Sequence, residues 1–121
     1  MSTQRIFVLD DDMNRINWFT QTFGSIDYAH TVDAAKSILE NNIYDIIFLD
    51  HDLGGPYTSG PDGDGIDLAQ WMASERIQLN AQIIVHSLNY DGAKNISKTL
   101  SASHNVTVCN FIQLMNATKN D

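Results

Sequence analysis

Little in this chain would tie it to a membrane, a polyanion or an oxidising compartment. Cys109 is the only cysteine in 121 residues. No internal disulfide can form, so packing must hold the fold, and a cytoplasmic, reducing setting is the expectation. No run approaches the ~18 apolar residues of a membrane span. Met1-Ser2-Thr3-Gln4-Arg5 leads straight into an apolar segment, so no signal peptide is expected. Basic residues are scarce: 7 Lys and Arg stand against 15 Asp and Glu, a formal net charge of −8. Such a surface releases no counterions on binding a polyanion, which excludes non-specific nucleic acid and anionic membrane as partners. It does not exclude a small phosphorylated ligand or nucleotide bridged by a metal. Proline is rarer still. Pro56 and Pro61 are the only two, and both lie in Leu53 to Gly65, a Gly- and Asp-rich stretch that reads as a flexible loop.

What remains alternates regularly. Apolar runs stand at Ile6 to Leu9, Ile26 to Ala29, Ile46 to Leu49, Ile83 to Val85 and Val106 to Cys109. They read as strands buried on both faces. Helical patterns fill the gaps. Ile16, Phe19 and Phe23 share one face before Gly24 stops the helix. Ala34, Ala35, Ile38 and Leu39 follow a cap at Thr31 or Asp33. Ile66, Ala69 and Met72 follow an opening at Asp64 or Gly65, and Ala93, Ile96 and Leu100 mark a fourth helix. Apolar residues run out after Met115, so a fifth helix should be short. The pattern predicts one α/β domain over residues 1–121, with a parallel sheet and helices on both faces.

Two acidic clusters stand where such a sheet binds ligands. Asp10-Asp11-Asp12 directly follows the first strand and Asp50-His51-Asp52 the third. Ligands sit outside the carboxyl ends of parallel strands where the strand order reverses. Carboxylates brought together there repel, and a hard divalent cation relieves the repulsion. A hard ion of the Mg2+ or Mn2+ type is therefore expected where the two clusters meet. The loop after Asp52 is placed to cover the site as a lid. Asp62-Gly63-Asp64-Gly65 lacks the third acid of a calcium loop. Zinc is disfavoured because Cys109 has no partner thiol.

These residues resemble the receiver domain of response regulators over nearly the whole chain. The resemblance implies a CheY-like (flavodoxin-like) doubly wound five-stranded parallel sheet, order 2-1-3-4-5, with a shortened last helix. It implies Mg2+ at Asp10, Asp11 and Asp50, with Asp12 an alternative to one of the pair, and phosphoryl acceptance by Asp50. Ser87 matches the hydroxyl residue after the fourth strand. The receiver lysine after the fifth strand is absent, since the chain reads Val108-Cys109-Asn110-Phe111. Three motifs look like those of a receiver offshoot, the cyclic-phosphate-processing receiver family. They are Leu49-Asp50-His51-Asp52-Leu53-Gly54, Gly65-Ile66-Asp67-Leu68-Ala69-Gln70-Trp71-Met72, and Val85-His86-Ser87-Leu88-Asn89 with Gly92. The resemblance implies processing of a cyclic phosphate or related phosphoester.

The residues can be weighed on their own chemistry. His51 and His86 adjoin the acids and can exchange protons near neutral pH, which a phosphoester reaction requires and a phospho-switch does not. Asp50, His51, His86 and Ser87 are thus the catalytic candidates. Asp52 is either an Asx turn or a ligand-binding acid. Asn89 either bonds a phosphate oxygen or makes a turn. Lys94 and Lys98 form a basic helix face, and Lys94 is the candidate to reach a phosphate. Trp71 reads as helix packing. The alternatives to an enzyme are a phospho-accepting receiver and a degenerate one, each acting on a separate signalling protein.

Overall fold

In a computed structural model, residues 4–54 and 63–119 are described. Residues 55–62, most of the expected lid, lie outside them. The elements alternate in chain order: β1 (Ile6–Leu9), α1 (Met13–Phe23), β2 (Asp27–Ala29), α2 (Val32–Asn41), β3 (Ile46–Leu49), α3 (Gly65–Glu75), β4 (Gln82–Val85), α4 (Tyr90–Leu100), β5 (Asn105–Val108) and α5 (Phe111–Lys119). The strands form one sheet in the order β2-β1-β3-β4-β5, parallel throughout. This is the predicted doubly wound, CheY-like topology.

Strand alternation sorts the core into two layers. Phe7, Leu9, Ile47, Leu49, Ile83 and Val85 point one way, against Ala35 and Leu39 of α2, Leu68 and Met72 of α3, and Ile96 and Leu100 of α4. Ile6, Val8 and Phe48 point the other way, against Ile16 and Phe19 of α1 and Leu114 of α5. Both faces are covered, which is why the central strands carry unbroken apolar runs. Edge strands carry a weaker signal. β2 begins one residue after the predicted run and β5 one residue before it. Both are largely exposed, so hydrophobicity does not mark their ends, although Cys109 N still donates to Val85 O at 3.0 Å.

Polar side chains fix the helix starts. Asp12 caps α1, accepting from Asn14 N at 2.7 Å and Arg15 N at 3.3 Å. Thr31, rather than Asp33, caps α2 through Ala34 N. Asp64 and Asp67 form a capping box at α3. Asn89 caps α4 through Gly92 N at 2.9 Å. α5 has 9 residues, one or two fewer than the other helices. No helix among the described residues is long and apolar enough to cross a membrane.

The register brings the site together. Leu9 pairs with Leu49, and Leu49 with Val85. The ladder continues one step further, with Asp50 N donating to Leu9 O and His86 N to Leu49 O, each at 3.0 Å. Asp10, Asp50 and His86 therefore stand side by side on three adjacent strand ends. By the same alternation all three side chains lean toward the α1 and α5 face, with Val8, Phe48 and Ile84.

Candidate functional site

A crevice of about 470 Å³ opens over these strand ends, bordered by Asp11, Asp50, Asp52, His86, Ser87 and Asn89 among others. A larger groove of about 620 Å³ lies at the opposite end of the sheet. Its lining holds one carboxylate, Glu40, and no histidine. Size favours that groove, but the reactive groups converge on the crevice.

Carboxylate oxygens of Asp10, Asp11 and Asp50 lie within 4.8 Å of one another. Three hard oxygen donors at this spacing fit Mg2+ or Mn2+. Asp12 is diverted, since its Oδ1 caps α1. The sequence reading missed Arg15. Its Nε and Nη2 grip Asp10 in a fork at 2.8 and 2.9 Å. Nη2 also lies 3.4 Å from Asp50 Oδ2 and 3.8 Å from Asp11 Oδ1. The acids expected to repel one another thus already share an internal cation. One helical turn separates Asp11 from Arg15, and that i, i+4 spacing was the available signal.

Burial and partners push the two buried acids apart. Burial raises the Asp10 carboxyl, but hydrogen bonds from His86 and Arg15 outweigh it and hold Asp10 below its usual range. Asp50 is pushed up to about 6, first by burial and then by the charge of Asp10. The bond to Asp10 raises the Arg15 guanidinium further, so it stays charged.

The histidines part company. His86 is 1% exposed. Its Nε2 donates to Asp10 Oδ2 at 2.7 Å. The ring stands edge-on to Phe19 and Phe111, and Nδ1 has no hydrogen-bond partner among the described residues. His86 therefore reaches the site through Asp10. His51, one residue past Asp50, turns to the opposite face of the sheet, where Gly92 of α4 packs on its ring. His51 Nδ1 lies 2.7 Å from Asp52 Oδ1. Asn89 Nδ2 donates to both Asp52 oxygens at 3.2 and 3.3 Å. A chain of bonds thus links the second acidic cluster to the start of α4.

Other candidates fall as follows. His86 makes the last ladder bond beyond β4, the backbone turns away after it, and both His86 and Ser87 border the crevice. Ser87 Oγ accepts from Asn89 N at 3.0 Å. Asn89 is both the α4 cap and a crevice wall. Lys94 and Lys98 are exposed on α4 and outside the crevice lining. Trp71 packs against the α2–α4 core layer, with Lys36 Nζ 5.8 Å from its ring centroid. Gly65 and Gly92 have physical reasons to be glycine. A methyl group at Gly65 would collide with the Asp50 carbonyl, and one at Gly92 with the His51 ring.

Five parallel strands in this order, with acids at the ends of β1 and β3, define a receiver-type domain. Solved structures agree on the fold. The phosphorylated cyanobacterial phytochrome response regulator RcpA matches with a TM-score of 0.72 at 17% identity, over 98% of this chain and 91% of that one. A CheY-like receiver domain from Methanospirillum hungatei JF-1 matches at 0.69 and 21%, over 98% and 93%. The BeF3-activated DrrB receiver domain matches at 0.66 and 17%, over 98% and 97%. No curated protein sequence matches the chain. The model of one family, described as the cyclic-phosphate processing receiver domain, matches residues 5–102. The chain belongs to that family.

Proposed function

We propose that this domain opens a cyclic phosphate, or cleaves a related phosphoester of a nucleotide or RNA end, in the crevice over Asp50. The observation that carries the reading is the bond between His51 Nδ1 and Asp52 Oδ1. Asp52 lines the crevice and His51 stands behind it, so the bond joins a carboxylate at the site to an imidazole that can exchange a proton with it. The name of the family model supports the same reading, as does the lack of a lysine directly at the end of β5, where the chain reads Cys109-Asn110-Phe111.

Ring opening adds water across one P–O bond. The water oxygen joins phosphorus and its proton goes to a base, while the departing ester oxygen takes a proton from an acid. His51 is the group proposed to accept and return that proton through Asp52, which lines the crevice where His51 does not. Asp52 holds its ring, and Asn89 holds Asp52. His86 orients Asp10, and the Ser87 hydroxyl and Asn89 amide offer hydrogen bonds to phosphate oxygens. Lys94, exposed on α4, would meet the outer part of a larger ligand. Asp10, Asp11 and Asp50 would hold Mg2+ or Mn2+, and the bound ion would supply polarisation of a phosphoryl oxygen. Alternatively an Asp50 carboxylate oxygen attacks phosphorus, the ring P–O bond breaks as its ester oxygen takes a proton, and water then cleaves the resulting acyl phosphate ester to restore Asp50. Phosphorus NMR of 2′,3′-cyclic nucleotides incubated with the protein tests the reading: ring opening that requires His51 is expected, and an intact ring counts against it.

A second reading rests on Asp50 itself. It directly follows β3 beside Asp10, with Ser87 also bordering the crevice, and one structural relative is a phosphorylated response regulator. Under this reading Asp50 accepts a phosphoryl group and a separate signalling protein reads the change.

A further inference from the structure

The crevice needs a cation for phosphoryl oxygens, and the chain places none at the end of β5. Arg15 is the only Lys or Arg among the described residues that line it. Its guanidinium is committed to carboxylates. The fork to Asp10 takes Nε and Nη2, and Nη2 lies within 4 Å of Asp50 and Asp11 as well. Those carboxylates are the oxygen donors proposed above to hold the ion. Arg15 and a divalent ion therefore compete for the same oxygens. The Arg15 side chain is 26% exposed, and its long stem starts in the first turn of α1, so the guanidinium can swing without moving the backbone.

We propose that Arg15 is a two-position cation: it holds Asp10, Asp11 and Asp50 together without metal, and it turns to the phosphoryl oxygens of the ligand when those acids take a divalent ion. This rests on the phosphate-handling reading above and adds the residue that replaces the missing lysine. A planar guanidinium suits both partners, because carboxylate and phosphate each accept its forked donors.

Two titrations without turnover test it. The first follows Mn2+ binding by paramagnetic resonance. The second follows inorganic phosphate or vanadate binding to the Mg2+-loaded protein. Arg15→Ala should bind Mn2+ roughly tenfold or more tighter, because the competitor is gone, and should bind phosphate at least about tenfold weaker. An Arg15→Ala protein with unchanged or weaker Mn2+ affinity overturns the proposal, as does one that keeps its phosphate affinity. If Arg15→Ala does not fold without metal, Arg15→Lys decides. Lys keeps the charge but not the fork, so Mn2+ should still bind tighter than in the unsubstituted protein, and equal affinities overturn the swap. If neither the unsubstituted protein nor a variant takes up Mn2+ at millimolar concentration, the proposal also fails. A protein that passes both titrations yet cleaves no cyclic phosphate refutes the enzyme reading and leaves Arg15 in its role.

Discussion

Gly92 lies against the ring of His51 so closely that a side chain at that position would overlap it. The same residue donates its N–H to Asn89 Oδ1, and Asn89 in turn holds Asp52. The glycine of the third motif and the histidine of the first are thus one packing unit. Gly92→Ala should displace the His51 ring or the first turn of α4. Overpacking of this kind costs about 1–3 kcal/mol. The expected result is a lower Tm together with a shifted His51 imidazole signal in nitrogen-15 NMR. An unchanged signal would mean that α4 does not position His51.

Asp50 sets a pH dependence. Its folded carboxyl is pushed up to about 6, above the ordinary value of 3.8. Its contribution to stability is therefore complete below its unfolded pKa and is lost as pH rises through about 6. Asp10, held below its usual range, works the other way and loses its contribution only at more acid pH. Asp50→Asn should flatten the fall in Tm between these limits. It should stabilise the metal-free protein at neutral pH by something on the order of 2 kcal/mol. Parallel Tm profiles for the two proteins would contradict this.

The acids after β1 should separate by role. Asp11→Ala should abolish any rise in Tm with millimolar Mg2+ or Mn2+, because ligand binding stabilises the folded state by linkage. Asp12→Ala should cost about 1 kcal/mol through loss of the α1 cap and leave the metal-dependent rise in place. A metal response lost in both variants would show that Asp12 belongs to the binding set.

Much of the fold was legible because the central strands carry their burial on both faces. Leu9, Leu49 and Val85 end apolar runs, and the register that aligns them also aligns Asp10, Asp50 and His86. The edge strands were less legible, since exposed Asp27 and Asn105 carry no hydrophobic mark. At the site the three carboxylates could be read from their positions after strands. Arg15 carries only the i, i+4 spacing from Asp11 as a mark, because a cation for phosphate is expected beyond β5 or on α4 and this one sits in the first turn of α1. The parting of His51 and His86 follows from the two-residue period, which sends neighbours such as Asp50 and His51 to opposite faces. Only the structure shows what each face holds: an Asp52–Asn89 chain for His51 and an aromatic enclosure for His86.

His86→Gln tests the role of the buried histidine. A glutamine amide can still donate toward Asp10 but cannot carry a proton. If His86 only orients Asp10, the variant should keep most of its activity and its metal affinity, whereas His86→Ala should lose both. Equal loss in the two variants would mean that the imidazole takes part in proton transfer.

The central claim is that this receiver-type crevice turns over a phosphoester and is not merely phosphorylated. The most direct measurement is a parallel assay of one protein preparation in Mg2+ or Mn2+. One arm follows hydrolysis of a 2′,3′-cyclic phosphate, and the other follows intact mass after treatment with acetyl phosphate. The predicted result is ring opening that falls about 10²- to 10⁴-fold in His51→Ala, with the fold intact and no lasting adduct. A stable adduct on Asp50, with no ring opening and no effect of the His51 substitution, would contradict the account and assign the crevice to phospho-acceptance.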